Sequence, residues 1–161
     1  MTSLAVTEKQ AVVIGAGPAG LMAAEMLAAA GLSVTVCDHK PSVGRKFLMA
    51  GKSGLNLTKV EQDDAFLNAF TEAKGLLAPI ISAFDSAAVQ EWATGLGQEL
   101  FTGSTGRVFP TVMKASPLLR AWLVRLTEAG VRINTRWDWT GWDADGLVFE
   151  TPDGRQVLQP D

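Results

Sequence analysis

An α/β fold is predicted, opening with a βαβ unit, passing through a helical segment and closing in an antiparallel β-meander. Three observations predict it. A glycine-rich hexapeptide, Gly15 to Gly20, separates an apolar run from a helix-forming stretch. A β-branched run ends on an acid, Asp38. After Gly130, short β-prone segments alternate with turn residues.

Composition bounds the answer. At 161 residues the chain suits one compact domain, and 47% hydrophobic against 19% charged residues is a globular balance. Lys plus Arg number 14 against 17 Asp plus Glu, a formal charge of -3, and no basic run tracks a phosphate backbone, so no nucleic-acid partner is expected. One cysteine, Cys37, and one histidine, His39, exclude a disulfide framework and multi-Cys or multi-His metal sites. The apolar stretch from Leu21 to Leu32 is too short for a bilayer and is broken by Glu25. With no signal-like N-terminus, the expected compartment is the cytoplasm, without membrane contact.

The elements follow in order. Residues 1–10 read as a lead-in, and Ala11 to Ile14 as a strand covered on both faces. Pro18 to Ala30 should form a helix buried nearly all round, with Glu25 its only charge and Gly31 its stop. Ser33 to Cys37 is the second strand, completing a βαβ unit over residues 11–38. Residues 39–58 read as a long basic, glycine-bearing loop, a length that implies function or disorder. Helical patterns follow. Asp63 and Asp64 open one with Phe66, Leu67 and Phe70 inward; Leu77, Ile80, Ile81 and Phe84 continue it; Asp85 or Ser86 caps another carrying Val89 and Trp92. Glu99 to Phe101 suggests a short strand before a second glycine-rich loop, TGSTGRVFP, and Ser116 with Pro117 starts a helix with Leu119, Trp122, Leu123 and Leu126 on its apolar stripe. Residues 131–159 make the meander, with turns at Asp143 to Gly146 and at Pro152 to Gly154. The chain then stops directly after a strand, which suggests an incomplete domain.

Gly15, Ala16, Gly17, Pro18, Ala19 and Gly20 spell G-x-G-x-x-G between a strand and a helix start, the context that gives the motif meaning. Gly15 serves the tight turn, Gly17 the approach of a pyrophosphate, and Gly20 the packing of helix on strand. The helix start adds free amides and the positive dipole end. Asp38 follows Gly20 at about the spacing, roughly 20 residues, at which an acid takes ribose hydroxyls. An acid there disfavours a 2′-phosphate. A plain NAD domain would return through another helix and parallel strand, whereas Gly44, Arg45 and Lys46 open a loop better explained as a second phosphate-and-flavin loop; a solvated basic loop is the plainer alternative.

Other features resolve more plainly. Gly51, Lys52 and Ser53 imitate a P-loop, but Lys46 occupies the required glycine position. Asp143, Asp145 and Gly146 lack the remaining ligands of a calcium loop. Cys37 reads as a small buried residue and His39 as a neighbour of the ribose acid rather than a catalyst. The five tryptophans read as packing, with Trp137 singled out because its strand end could border the adenine.

Three segments, VVIGAGPAGLMAAEMLAAAG, VTVCDHKPSVGRKFLMAGKSGLNLT and GRVFPTVMKASPLLRAWLVRLTEAGVRI, resemble the HI0933-like flavoproteins, bacterial NAD(P)/FAD-dependent oxidoreductases. The resemblance runs from about Ala11 to the end of the meander. It implies a Rossmann-type FAD-binding domain of the glutathione-reductase-like kind. FAD would be held by Gly15, Gly17 and Gly20 at the pyrophosphate, Asp38 at the ribose and Gly44, Arg45 and Lys46 in the next loop. Gly51, Gly54 and Asn56 would line the flavin side. Relatives carry an Arg-Cys pair in that stretch where this chain has Gly54 and Leu55 before Asn56. Arg107, Phe109 and Pro110 would lie near the active cavity. NAD(P)H is the implied electron donor and a small molecule the expected substrate, but no catalytic residue is assigned; Lys52, Arg107 and Lys114 qualify by location alone. The family's longer length implies that a returning C-terminal segment completes the site. The alternatives are a non-catalytic dinucleotide-binding module and an inactive remnant.

Overall fold

The first strand, β1 (Gln10–Ile14), pairs in parallel with β2 (Ser33–Asp38) across the helix α1 (Pro18–Ala29), so the βαβ unit forms as its residue pattern dictates. The computed structural model describes residues 9–61 and 63–161, without the side chains of Asp63 and Asp64. Most of the expected lead-in, residues 1–8, therefore lies outside the described residues, as do the side chains of the two acids expected to open a helix. By its internal contacts the chain divides into two compact units, where its length suggested one. The first comprises the described residues to Phe47 together with Leu123–Asp161, and the second is Leu48–Trp122.

In the first unit, β6 (Arg132–Thr135) joins β2 in parallel, giving the order β1-β2-β6. The centre of this sheet is β2, and its Val34, Thr35, Val36 and Cys37 are all buried. At the edge, β1 corrects the expectation of a strand covered on both faces: Ala11 to Val13 are half-buried and Ile14 is 45% exposed. The helix is corrected in the same sense. Leu21 and Ala24 are buried in α1, but Met26 is exposed, because the sheet covers one side of a helix whose Ala-rich composition carries little periodicity. Glu25 accepts a hydrogen bond from Arg125 Nη1 at 3.0 Å. A charge that looked like an interruption is an ion-pair partner.

The antiparallel meander is built from β7 (Asp138–Asp143), β8 (Gly146–Thr151) and β9 (Gly154–Leu158), and it begins later than the expected residue 131, because Arg132–Thr135 is taken into the parallel sheet beside β2. Its inner residues Leu147 and Phe149 pack with Cys37, flanked by Val12, Trp137 and Leu158. Arg155 also pairs with Asp143 across the outer strands.

The second unit holds more secondary structure than its residues announced. Within the expected loop 39–58, Arg45–Ala50 is a helix, α2, contributing to both units, and the loop ends in the two-residue strand β3 (Thr58–Lys59). Likewise, the expected glycine-rich loop contains β5 (Arg107–Pro110), which pairs with β3 on one side and with β4 (Leu100–Thr102) on the other, both antiparallel. Pro110 stands at the end of β5, where its missing N–H costs the ladder least. Helices α3 (Asp63–Asn68), α4 (Lys74–Ala83) and α5 (Ser86–Gly95) fall where the periodicity placed them. Asp85 caps α5, accepting from the Ala88 amide at 2.8 Å. On α4, however, Ile80 and Phe84 are exposed rather than inward. The last helix, α6 (Ala115–Glu128), begins just before the expected Ser116 cap, and its Leu118, Leu119, Trp122 and Leu126 are buried. Trp122 meets Trp92 edge to face with centroids 4.8 Å apart, the geometry in which the positive ring edge faces the negative ring face.

Candidate dinucleotide-binding site

The turn from β1 into α1 builds the site's floor. Gly15 has φ +100°, a conformation that L side chains rarely adopt, and its amide donates to the Cys37 carbonyl at 2.7 Å. Ala16 is fully buried and both of its peptide groups are engaged. Its N–H donates to Asp38 Oδ2 at 2.7 Å and its carbonyl accepts from the Gly44 N–H at 2.8 Å. Gly17 is the N-cap of α1 and Pro18 its first helical residue; the first intrahelical bond runs from the Leu21 amide to the Gly17 carbonyl. The amides of Ala19 and Gly20 therefore precede the hydrogen-bonded ladder and are available to an anion.

The two flanking glycines differ in what surrounds them. A Cβ on Gly17 would meet no atom within 4 Å, so open space lies over the helix start; a Cβ on Gly20 would sit 1.8 Å from the Gly15 carbonyl oxygen.

Asp38, at the end of β2, closes one side. Its Oδ1 accepts from the Lys40 amide at 2.8 Å, and His39 Nδ1 lies 3.7 Å from the same oxygen. The Asp38 carbonyl accepts from the Trp137 amide at 3.0 Å, and the Lys40 carbonyl from the Arg136 amide at 3.1 Å. These bonds bring the crossover after β6 against the end of β2. Between them runs a groove of about 220 Å³ lined by Ile14, Gly15 and the segments Cys37–His39 and Trp137–Trp139. A complete small-molecule cleft spans roughly 300–1,000 Å³, so this groove suits one part of a dinucleotide, such as its adenosine. An acceptor carboxylate, an aromatic wall and an uncrowded helix start fit an adenosine diphosphate moiety.

Cys37 lines the same groove but is 1% exposed, and burial pushes its thiol from 9.0 up to about 11 despite a hydrogen bond with Asn134. Because the folded form holds this proton more tightly, its contribution to stability is present below pH 9 and is lost as the pH rises toward 11. Alkylation of the folded chain at pH 8 should accordingly be at least about tenfold slower than that of the urea-unfolded chain. Equal rates would show an accessible, ionisable thiol.

The remaining expected site residues are placed as follows. Gly44 is buried with φ +64°, and Arg45 and Lys46, the first residues of α2, are exposed. Gly51, Gly54 and Asn56 belong to the second unit. There a Cβ on Gly51 would lie 2.5 Å from Ala115 Cβ, and one on Gly54 2.6 Å from Met113 Cε, so both glycines have packing reasons of their own. Asn56, Lys52, Arg107 and Lys114 are exposed. Trp139 was not singled out from sequence, and Ala16, expected at the site, was not expected to bond both Asp38 and Gly44. Trp139 carried a signal, since it stands two residues after Trp137 and alternation puts both on one face; the Ala16 peptide carried none. Among the described residues no group of three or more His, Cys, Asp or Glu gathers to hold a metal, and no helix is long and apolar enough to cross a membrane.

Residues 9–160 match the family described as the HI0933-like protein Rossmann domain. The chain belongs to this family. Over 50 residues it is 50% identical to the ribosomal RNA dihydrouridine synthase of Haemophilus influenzae (strain ATCC 51907 / DSM 11121 / KW20 / Rd), a match covering 31% of this chain and 12% of that protein. The HI0933-like Rossmann fold of this chain also superimposes on an open-conformation flavocytochrome c3 fumarate reductase. The TM-score is 0.68 at 20% identity, covering 92% of this chain and 32% of the other. For the 3-ketosteroid-delta4-(5alpha)-dehydrogenase of Rhodococcus jostii RHA1 the TM-score is 0.64 at 16% identity, covering 96% of this chain and 45% of the other. At these identities the structural likeness is one of fold. In each of these three matches the chain spans less than half of the relative's length.

Proposed function

We propose that this HI0933-like Rossmann chain is the FAD-binding portion of an FAD-dependent oxidoreductase. The observation that carries the reading is the pairing of the open space over Gly17, at the α1 start, with the acceptor carboxylate of Asp38 beside the groove. In it the Ala19 and Gly20 amides bind the pyrophosphate, Asp38 accepts from ribose hydroxyls and Trp137 borders the adenine. Arg45 and Lys46 supply positive charge beside the phosphates. Bound flavin supplies hydride transfer, with NAD(P)H as donor; the protein's share is to hold and orient it. The cytoplasm, with its reducing conditions, is the compartment this reading assumes.

The test is to titrate the purified chain with FAD and follow the flavin bands near about 375 and 450 nm through gel filtration. Retained bands support the reading. A folded chain that binds no FAD counts against a self-sufficient site and favours a requirement for further chain, as the family's length implies. Asp38→Ala should weaken FAD binding by about 1.5–3 kcal/mol, since charge-assisted hydrogen bonds are lost. Unchanged affinity would remove Asp38 from the site.

A second reading concerns the electron acceptor. The 50% identity over 50 residues to a ribosomal RNA dihydrouridine synthase favours a uridine of ribosomal RNA over a small molecule, against the acidic balance of the chain. Ribosomal RNA from cells lacking the protein should then lose dihydrouridine by mass spectrometry. Unchanged content would return the acceptor to small molecules.

A further inference from the structure

Asp38 makes two bonds before any ligand arrives. One carboxylate oxygen takes the Ala16 amide at 2.7 Å and the other the Lys40 amide at 2.8 Å. Ala16 in turn receives the Gly44 amide on its carbonyl at 2.8 Å. A single buried residue, through the two peptide groups that flank it, thus links the glycine loop, the end of β2 and the segment leading to Arg45 and Lys46. Two amide donors facing two oxygens require a carboxylate. An asparagine offers one oxygen and one NH₂, so it can satisfy only one of them and sets donor against donor at the other.

We propose that Asp38 is a positioning residue for the glycine loop, clamping the Ala16 and Lys40 amides through both oxygens and thereby setting the loop that faces the ligand phosphates. This deepens the FAD reading and rests on it only for the identity of the ligand. The clamp forms without ribose, so its loss disturbs phosphate binding as well as adenosine binding.

The experiment begins with amide hydrogen exchange on the nucleotide-free full chain. In the wild type the Ala16 amide should be protected; an unprotected Ala16 amide overturns the proposal without any variant. In Asp38→Asn, exchange at Ala16 and Gly44 should quicken at least about tenfold, while the β2–β6 amides keep their protection. Asp38→Glu, which retains two acceptor oxygens, should restore protection at Ala16. Unchanged exchange in Asp38→Asn, or equal acceleration throughout the sheet with no rescue by Asp38→Glu, overturns it.

The second readout is calorimetric titration with inorganic pyrophosphate, which carries no ribose. A residue that served only the ribose would leave pyrophosphate binding unchanged or, by losing a negative charge, tighten it in Asp38→Asn. The clamp predicts weaker binding, by at least about threefold, and unchanged or tighter binding overturns it. If the wild type binds no pyrophosphate, the anion site of the preceding reading fails, and the clamp is decided on amide exchange alone.

Discussion

Replacing Gly20 by alanine is expected to destabilise the first unit by more than about 3 kcal/mol, beyond the usual range for overpacking. The added Cβ would stand 1.8 Å from the Gly15 carbonyl oxygen and 3.1 Å from its carbon. Both are backbone atoms in the turn that joins β1 to α1, so no side-chain rotation relieves the clash. Either α1 lifts from β1, losing the packing of helix on strand, or the turn opens, straining the bond from the Gly15 amide to the Cys37 carbonyl. Total stabilities run to only about 5–15 kcal/mol, so much of the folded population is at risk. Urea denaturation of the nucleotide-free chain measures this directly. A midpoint equal to that of the wild type would mean that helix and strand are packed less closely than described.

Gly17→Val is expected to do the opposite: leave the chain folded and abolish dinucleotide binding. Gly17 has φ −81° and ψ 177°, open to any residue, and its Cβ would meet no atom within 4 Å. Folding should lose only about 1 kcal/mol, the disadvantage of valine at an N-cap. The branched side chain would, however, fill the space over the helix start that a pyrophosphate needs, and FAD affinity should fall at least about a hundredfold. Fluorescence titration with FAD, beside the same urea experiment, separates the two effects. Affinity within a few-fold of the wild type would place the phosphates elsewhere. Two glycines in one motif should thus fail in different assays, one in folding and one in binding.

What could be read in advance follows the strength of local signals. The run from Ala11 to Gly20 combines a strand, a turn and a helix start in one motif, and the meander carries a turn at each strand end, so both were legible from residues. The helix over Arg45–Ala50 was not, because six residues without a capping side chain show no period. The β3-β5-β4 sheet was missed for a similar reason: Thr58–Lys59 is too short to alternate, and Gly106 and Pro110 around β5 read as turn residues. Exposure was misjudged at Ile14, Met26 and Ile80, since apolar character does not reveal that a strand is at an edge or that a helix has one covered side. In the candidate site, Asp38 was found by its spacing from the motif. Its two amide partners were not, because backbone groups leave no trace in residue identity.

The pairing of β2 with β6 bears on how the chain is made. Thr35 and Arg132 meet in this ladder, joined also by the Arg132 guanidinium on Thr35 Oγ1, across a sequence separation of 97 residues. Closing so long a loop costs about 2 kcal/mol more than closing one of ten residues, unless residues 48–122 have already collapsed and shortened it. During synthesis at roughly 5–20 residues per second, β2 emerges with one flank bare and waits about 5–20 s for its partner strand to be translated. In that interval the Val34 to Cys37 backbone is an unpaired, apolar edge, and this nascent stretch is where a ribosome-associated chaperone would have the most to protect.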